Sequence, residues 1–171
     1  MSARRMRAAS RRPAPTACRR SQTGAVVSVR VRPMTERDAR VVADLAGQLG
    51  YPSTQAQIQK RFETVSGDEG SAVFVAEVED GRVIGWVHVI VRTFLESDAY
   101  AELAGLVVDG TVRRQGAGQA LVSAAETWAA GRGYTTMRVR SNIKRIEARS
   151  FYEGRGYVIG KSQHVYEKLI K

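Results

Sequence analysis

The sequence predicts an α/β domain, a mixed sheet of about seven strands with about four helices on both its faces. Three observations point there. Runs that alternate apolar and polar residues recur along the chain and mark strands. Other segments space their apolar residues three and four apart, as on one face of a helix. The two kinds interleave in the order β-α-α-β-β-β-α-β-α-β-β.

Each element has a local cause. Val27, Val29 and Val31 alternate with Ser28, Arg30 and Arg32, a half-buried strand. Thr35 can cap the helix that follows, whose stripe is Val41, Val42, Leu45 and Leu49. Gly50-Tyr51-Pro52 stops it, since glycine suits a C-cap and proline cannot continue a helix. Thr54 starts a second helix, with Ile58, Phe62 and Val65 on one face. Residues 72–79 read as a strand, Asp80-Gly81 as a hairpin turn, and 82–92 as the partner strand. That partner is apolar on both faces, Val83, Val87 and Val89 on one and Ile84, Trp86 and Ile90 on the other, which predicts a central strand. Residues 100–108 form the next strand.

The following helix carries Ala117, Ala120, Leu121, Ala124, Ala125 and Trp128, a face of mostly small residues able to pack close to a sheet. Gly131 and Gly133 end it. Met137 and Val139 alternate with Arg138 and Arg140 in a strand that runs to Ser141-Asn142. A short helix covers residues 146–153, and residues 157–159 and 164–170 read as a last pair of strands.

The segment from Leu106 to Leu121 carries most of the functional information. An apolar strand ends at Asp109, and a basic, glycine-rich corner opens a helix. Backbone N–H groups at a helix start, with the positive end of the helix dipole, make a site for an anion such as a diphosphate. Gly116 and Gly118 allow that anion to approach the main chain. A dinucleotide fingerprint would need a third glycine where Leu121 stands. A Walker loop would need Lys-Ser/Thr where Gln119 and Ala120 stand.

Arg113-Arg114-Gln115-Gly116-Ala117-Gly118 matches Arg/Gln-x-x-Gly-x-Gly/Ala, and so resembles the coenzyme A diphosphate loop of the GNAT superfamily of N-acetyltransferases. Ala148, Phe151, Tyr152, Glu153, Gly156 and Tyr157 resemble that family's second signature, and Ala101-Glu102-Leu103 stands just ahead of the loop, as in the family. The resemblance spans roughly residues 27–170. It implies the GNAT fold, in which the fourth and fifth strands splay and the cofactor lies between them. It implies acetyl-CoA as donor and a primary amine as acceptor, a small-molecule amine favoured and a protein amine the other option.

Acyl transfer to an amine requires that the thioester be held, its oxygen stabilised, the amine deprotonated and the thiolate protonated. By the resemblance, Arg113, Arg114, Gln115, Gly116, Ala117, Gly118 and Gln119 hold the diphosphate. The main chain of Leu106, Val107 and Val108 holds the pantetheine arm as an added strand would, with a bulge eased by Gly105 and the oxyanion donor at the N–H of Val107 or Val108. Tyr152 matches the general acid. Glu102 matches the base of the histone-acetylating branch, with binding of a cationic substrate or a neighbouring arginine as its other role. A carboxylate of pKa ~4.3 is a poor base for an amine of ~10.4, so burial or a water relay must help.

Asn142 can bond the pantetheine amides or cap a turn. Many family members carry an asparagine where this chain has Arg145, so Asn142 takes that contact or the contact is missing; Lys144 and Arg145 would then be free to reach a cofactor phosphate. His88 reads as a core histidine. Tyr51, Trp86 and Tyr100 read as acceptor-pocket walls or as core.

Composition narrows the classes. The chain of 171 residues suffices for one domain with a good core. No run approaches the ~18 apolar residues of a membrane span, so a soluble, cytoplasmic protein is expected, without membrane partners. Cys18 is the only cysteine, so no acetyl-cysteine intermediate is expected in the folded part and transfer should be direct. With His88 and His164 the only histidines, no metal site is expected. The net charge is +10, but residues 1–24 hold seven arginines and no acid. Residues 1–25 are therefore read as a disordered tail and 26–171 as the acetyltransferase domain. The tail fits a transit peptide for organelle import, a non-specific nucleic-acid contact, or residues ahead of the working start. Two rival functions follow, a non-catalytic acyl-CoA sensor and a nucleic-acid binder acting through the tail. Family members are often homodimers, and the sequence identifies no interface.

Overall fold

The computed structural model describes residues 28–112 and 115–170. The tail, and the two arginines of the glycine-rich corner, Arg113 and Arg114, lie outside the described residues. Strand β1 (Val29–Pro33) leads through a single turn of 3-10 helix at Glu36–Asp38 into α1 (Ala39–Leu49). Thr35 is the N-cap of this start and forms a capping box with Asp38. Its own N–H and hydroxyl donate to the Asp38 carboxylate at 2.8 and 3.0 Å, and Arg32 grips the same carboxylate at 2.8 and 2.9 Å. Gly50 ends α1 in the left-handed region, φ 100°, as a C-cap glycine does. α2 (Gln55–Ser66) opens on a reciprocal capping box between Thr54 and Gln57.

Strands β2 (Ser71–Val78), β3 (Val83–Arg92) and β4 (Tyr100–Val108) form an antiparallel meander beside β1. α3 (Ala117–Ala130) then crosses over, so that β5 (Met137–Val139) joins β4 in parallel. The sheet order is β1-β2-β3-β4-β5, and β3 is the central strand its two apolar faces predicted. α4 (Ile146–Glu153) follows β5.

The sheet separates two clusters. On one face, Ile84, Val87, Val89, Ala101 and Leu103 pack against Leu121, Val122 and Ala125 of α3, and Phe151 and Tyr152 of α4 join them. On the other, Val75, Val83 and Val107 pack against Val42 and Leu45 of α1. Two bulges shift the alternation. One leaves Ile84 without a β2 partner, and it moves Ile84 onto the α3 face with Val87 and Val89 while Val83 joins Trp86 on the α1 face. Strict alternation had assigned those two residues the other way round. The second leaves Ala104 unpaired between Leu103 and Gly105.

The described residues form five strands rather than about seven. No strand forms in residues 157–170, where a last pair was expected. Val165, Tyr166, Leu169 and Ile170 are at least 84% exposed there. Alternating apolar residues make a strand only when a partner edge takes their hydrogen bonds, and here none does. Among the described residues no helix is long and apolar enough to cross a membrane, and no cluster of side chains could hold a metal ion.

Candidate active site

The glycine-rich corner folds as the start of α3. Gly116 occupies the left-handed region at φ 81°, and the Ala120 N–H is tied to its carbonyl at 2.9 Å. The N–H groups of the first helical turn have no carbonyl one turn earlier within the helix, and Gly116 has no side chain to cap them. Gln115, Gly116 and Gln119 are exposed, Gly118 is half-buried, and Ala117 anchors the helix start in the core at 2% exposure. A methyl group added at Gly118 would lie 3.5 Å from the Phe151 ring and 3.6 Å from Val108. The helix start, the end of β4 and α4 therefore meet at one point.

Beside that point the sheet opens. The β4–β5 ladder runs only from the Ala101–Met137 pair to the Leu103–Val139 pair, and it stops where the Ala104 bulge begins. Beyond the bulge β4 stays paired with β3, where the Asp109 N–H donates to the Ile84 carbonyl at 2.8 Å. Alternation in an antiparallel pair then turns the Val107 N–H toward β3 and the Leu106 and Val108 N–H groups toward the open side. Of the two candidate oxyanion donors, Val108 faces the gap. The Thr111 N–H and hydroxyl hold the Asp109 carboxyl below its usual range and so fix the turn into the loop.

Tyr152 lies on α4 with its ring edge-on to Phe151 and Tyr157. Burial pushes its phenol above the usual value, and the nearby Arg145 charge only partly opposes this. The group thus stays protonated at neutral pH, as a proton donor must.

Glu102 is almost fully buried, at 4% exposure, but it is not free. Its carboxylate stands 3.4 Å from Arg92 Nη2 on one side and 3.4 Å from Arg140 Nη2 on the other. Asn142 closes a turn, its side-chain oxygen accepting from the Lys144 N–H at 2.9 Å. Arg145 reaches back to the end of α1. Its Nη2 donates to the Leu49 carbonyl at 2.6 Å, where a cation complements the C-terminal end of α1.

A cavity of about 330 Å³ opens between α1, α2 and the sheet. Ala104 and Gly105 of the bulge form its floor, and Trp86 and His88 form one wall. Tyr51 and Trp86 line it, as expected of acceptor-pocket walls. Tyr100 does not; it is buried at the far end of the sheet, against Phe94 and under Arg138. His88 hydrogen-bonds Ser71 at 2.9 Å, and burial holds its ring below the usual value against the opposing charge of Asp68. His88 is therefore half-buried at the cavity wall, with a hydrogen-bond partner and without charge at neutral pH. Arg61, Ser53 and Met34 also line the cavity, and nothing in their spacing signals it.

The acetyltransferase (GNAT) family profile matches residues 39–157. The chain belongs to the GNAT acetyltransferase family. It is similar to an aminoglycoside N(6')-acetyltransferase type 1 of Klebsiella aerogenes, 32% identical over 133 residues that cover 74% of this chain and 88% of the relative. Among solved structures it is similar to aminoglycoside N-acetyltransferase AAC(6')-Iy in complex with CoA, with a TM-score of 0.75 at 18% identity over 83% of this chain and 95% of that one. It is also similar to the 6'-N-acetyltransferase AAC(6')-Ih of Acinetobacter baumannii, with a TM-score of 0.74 at 16% identity over 84% and 100%. As a GNAT acetyltransferase, the enzyme takes its acetyl group from acetyl-CoA.

Proposed function

We propose that this acetyltransferase moves the acetyl group directly from acetyl-CoA to the primary amine of a small molecule bound in the α1–α2 cavity. One observation carries the reading: the cavity floor and the β4–β5 gap share the Ala104–Gly105 bulge. An amine in the cavity and a thioester in the gap would meet there with little further movement, which is where proximity lowers the barrier. The α3 start, with Gln115 through Gln119 and the preceding Arg113 and Arg114, would bind the diphosphate. The main chain of Leu106, Val107 and Val108 and the Asn142 amide would hold the arm. The Val108 N–H would stabilise the carbonyl oxygen as charge builds. As the nitrogen bonds to the carbonyl carbon and the carbon–sulfur bond breaks, Tyr152 gives its proton to the leaving sulfur.

Two groups compete to take the proton from nitrogen. Glu102 is the one its sequence position suggests, but Arg92 and Arg140 already stand 3.4 Å from its two oxygens. His88 lines the cavity and is neutral at pH 7. We assign the proton to His88, and to Glu102 the anchoring of Arg92 and Arg140. Thiol release from acetyl-CoA against a panel of small amines tests the activity. His88→Gln is expected to lower kcat/KM about 10- to 100-fold and remove an acid limb below pH ~6.5, with Glu102→Gln losing less. The reverse ranking would return the base role to Glu102.

A further inference from the structure

We propose that the acceptor is a primary amine on an apolar, aromatic-sized body, rather than a polycation such as an aminoglycoside. This rests on the acetyl-transfer reading above and deepens it. The cavity is lined by Val42, Leu49, Ile58, Phe62 and Trp86 among other apolar groups, and among the described residues no carboxylate lines it. The one charged lining group among the described residues is a cation, Arg61, which donates to Ser53 at 2.8 Å.

Carboxylates outside the lining are engaged elsewhere. Asp68, whose charge acts on His88, accepts the Gly70 N–H at 2.8 Å. Glu102 stands between Arg92 and Arg140, and Asp38 is held by Arg32 and Thr35. A substrate with several ammonium groups would have to shed water from each without a counter-charge, and beside Arg61 it would meet repulsion. A ring on an alkyl chain loses little by entering, because Phe62 and Trp86 replace water on its faces. With its nitrogen at the Gly105 floor beside His88, its far end would lie toward Arg61. A neutral or anionic group is tolerated there, and a second cation is not.

Two readouts keep this inference separate from the activity it rests on. The first is binding. Trp86 and Trp128 are the only tryptophans, so in a Trp128→Phe background Trp86 reports the cavity alone. 2-Phenylethylamine in the presence of CoA should quench that emission saturably, and tobramycin should not. The second is thiol release from acetyl-CoA, where the arylalkylamine should exceed tobramycin and spermidine at least tenfold in kcat/KM. Arg61→Glu, an exposed change that leaves the core intact, should shift the ratio toward spermidine by fivefold or more. Quenching without thiol release would sink the acetyl-transfer reading and leave the cavity assignment standing. Thiol release led by tobramycin or spermidine, absence of quenching by the arylalkylamine, or an unchanged ratio in Arg61→Glu would overturn the proposal.

Discussion

The two faces of the sheet are packed to different standards. Against one, α3 presents Ala117, Leu121, Val122, Ala125 and Ala129, each no more than 3% exposed, and its glycine start touches α4 and the end of β4. Against the other, α1 seats Val42 and Leu45 well, but α2 buries no residue fully, and a cavity of about 330 Å³ remains beneath it. Small side chains let a helix lie close to a sheet, whereas Phe62 and Trp86 hold their elements apart. On the proposed reading the difference follows the two substrates. A donor gripped by main-chain groups needs a rigid edge of fixed shape, and an acceptor recognised by side chains needs volume.

The largest expected effect lies on the packed face. Tyr152→Phe keeps the ring contacts with Phe151 and Tyr157 and removes only the hydroxyl proposed as proton donor. It should lower kcat about 10²- to 10³-fold. Acetyl-CoA should still raise the melting temperature of the variant as much as that of the parent. Turnover within twofold of the parent would remove Tyr152 from the reaction.

The same contrast decides what could be read in advance. The elements of the proposed donor side were legible because they are contiguous. Gly116 and Gly118 stand two apart, and Leu106–Val108 leads straight to them. A backbone-built site imposes a fixed local spacing on the chain. The cavity was not legible, since its lining is drawn from Met34 to Gly105 across α1, α2 and three strands. Ile58, Phe62 and Val65 read as one more core face, because spacing shows which residues face inward and not whether anything fills the space. Residue alternation failed where Ile84 interrupts it. It also failed in residues 157–170, whose pattern lacks a partner strand. Arg145 looked free in the sequence because the Leu49 carbonyl it caps is 96 residues away.

A second expectation concerns the seat of the loosely packed face. Asp38, at 6% exposure, joins β1 to α1 through Arg32. Burial works to raise its pKa, but Arg32 and the Thr35 N–H and hydroxyl outweigh it and leave the carboxyl below its usual value. A carboxyl depressed in this way stabilises the fold above the unfolded value of ~3.9, and the gain is lost as pH falls through the lower folded value. Asp38→Asn should cost about 3 kcal/mol at pH 7, lowering Tm by roughly 6–12 °C. The gap to the parent should close in acid below pH ~4. A gap that stays constant across that range would show that the carboxylate charge is not what holds α1.

The smallest effect expected is at Gly105, in the bulge that the cavity and the gap share. A methyl group added at Gly105 would stand 2.8 and 2.9 Å from two carbons of the Trp86 ring, closer than such atoms approach. Either the indole swings into the cavity or the bulge moves. If the indole yields, Gly105→Ala narrows the acceptor space and leaves the Leu106–Val108 main chain in register, so the acceptor KM should rise about tenfold, ~1.4 kcal/mol. Affinity for acetyl-CoA should be unchanged. If the bulge yields instead, the donor arm loses its edge, and acetyl-CoA affinity and kcat fall together. Steady-state kinetics in both substrates with a CoA titration separate the two cases. The first is expected, because the ring can turn about its side-chain bonds, whereas the strand beyond the bulge is tied to β3 through the Asp109–Ile84 bond.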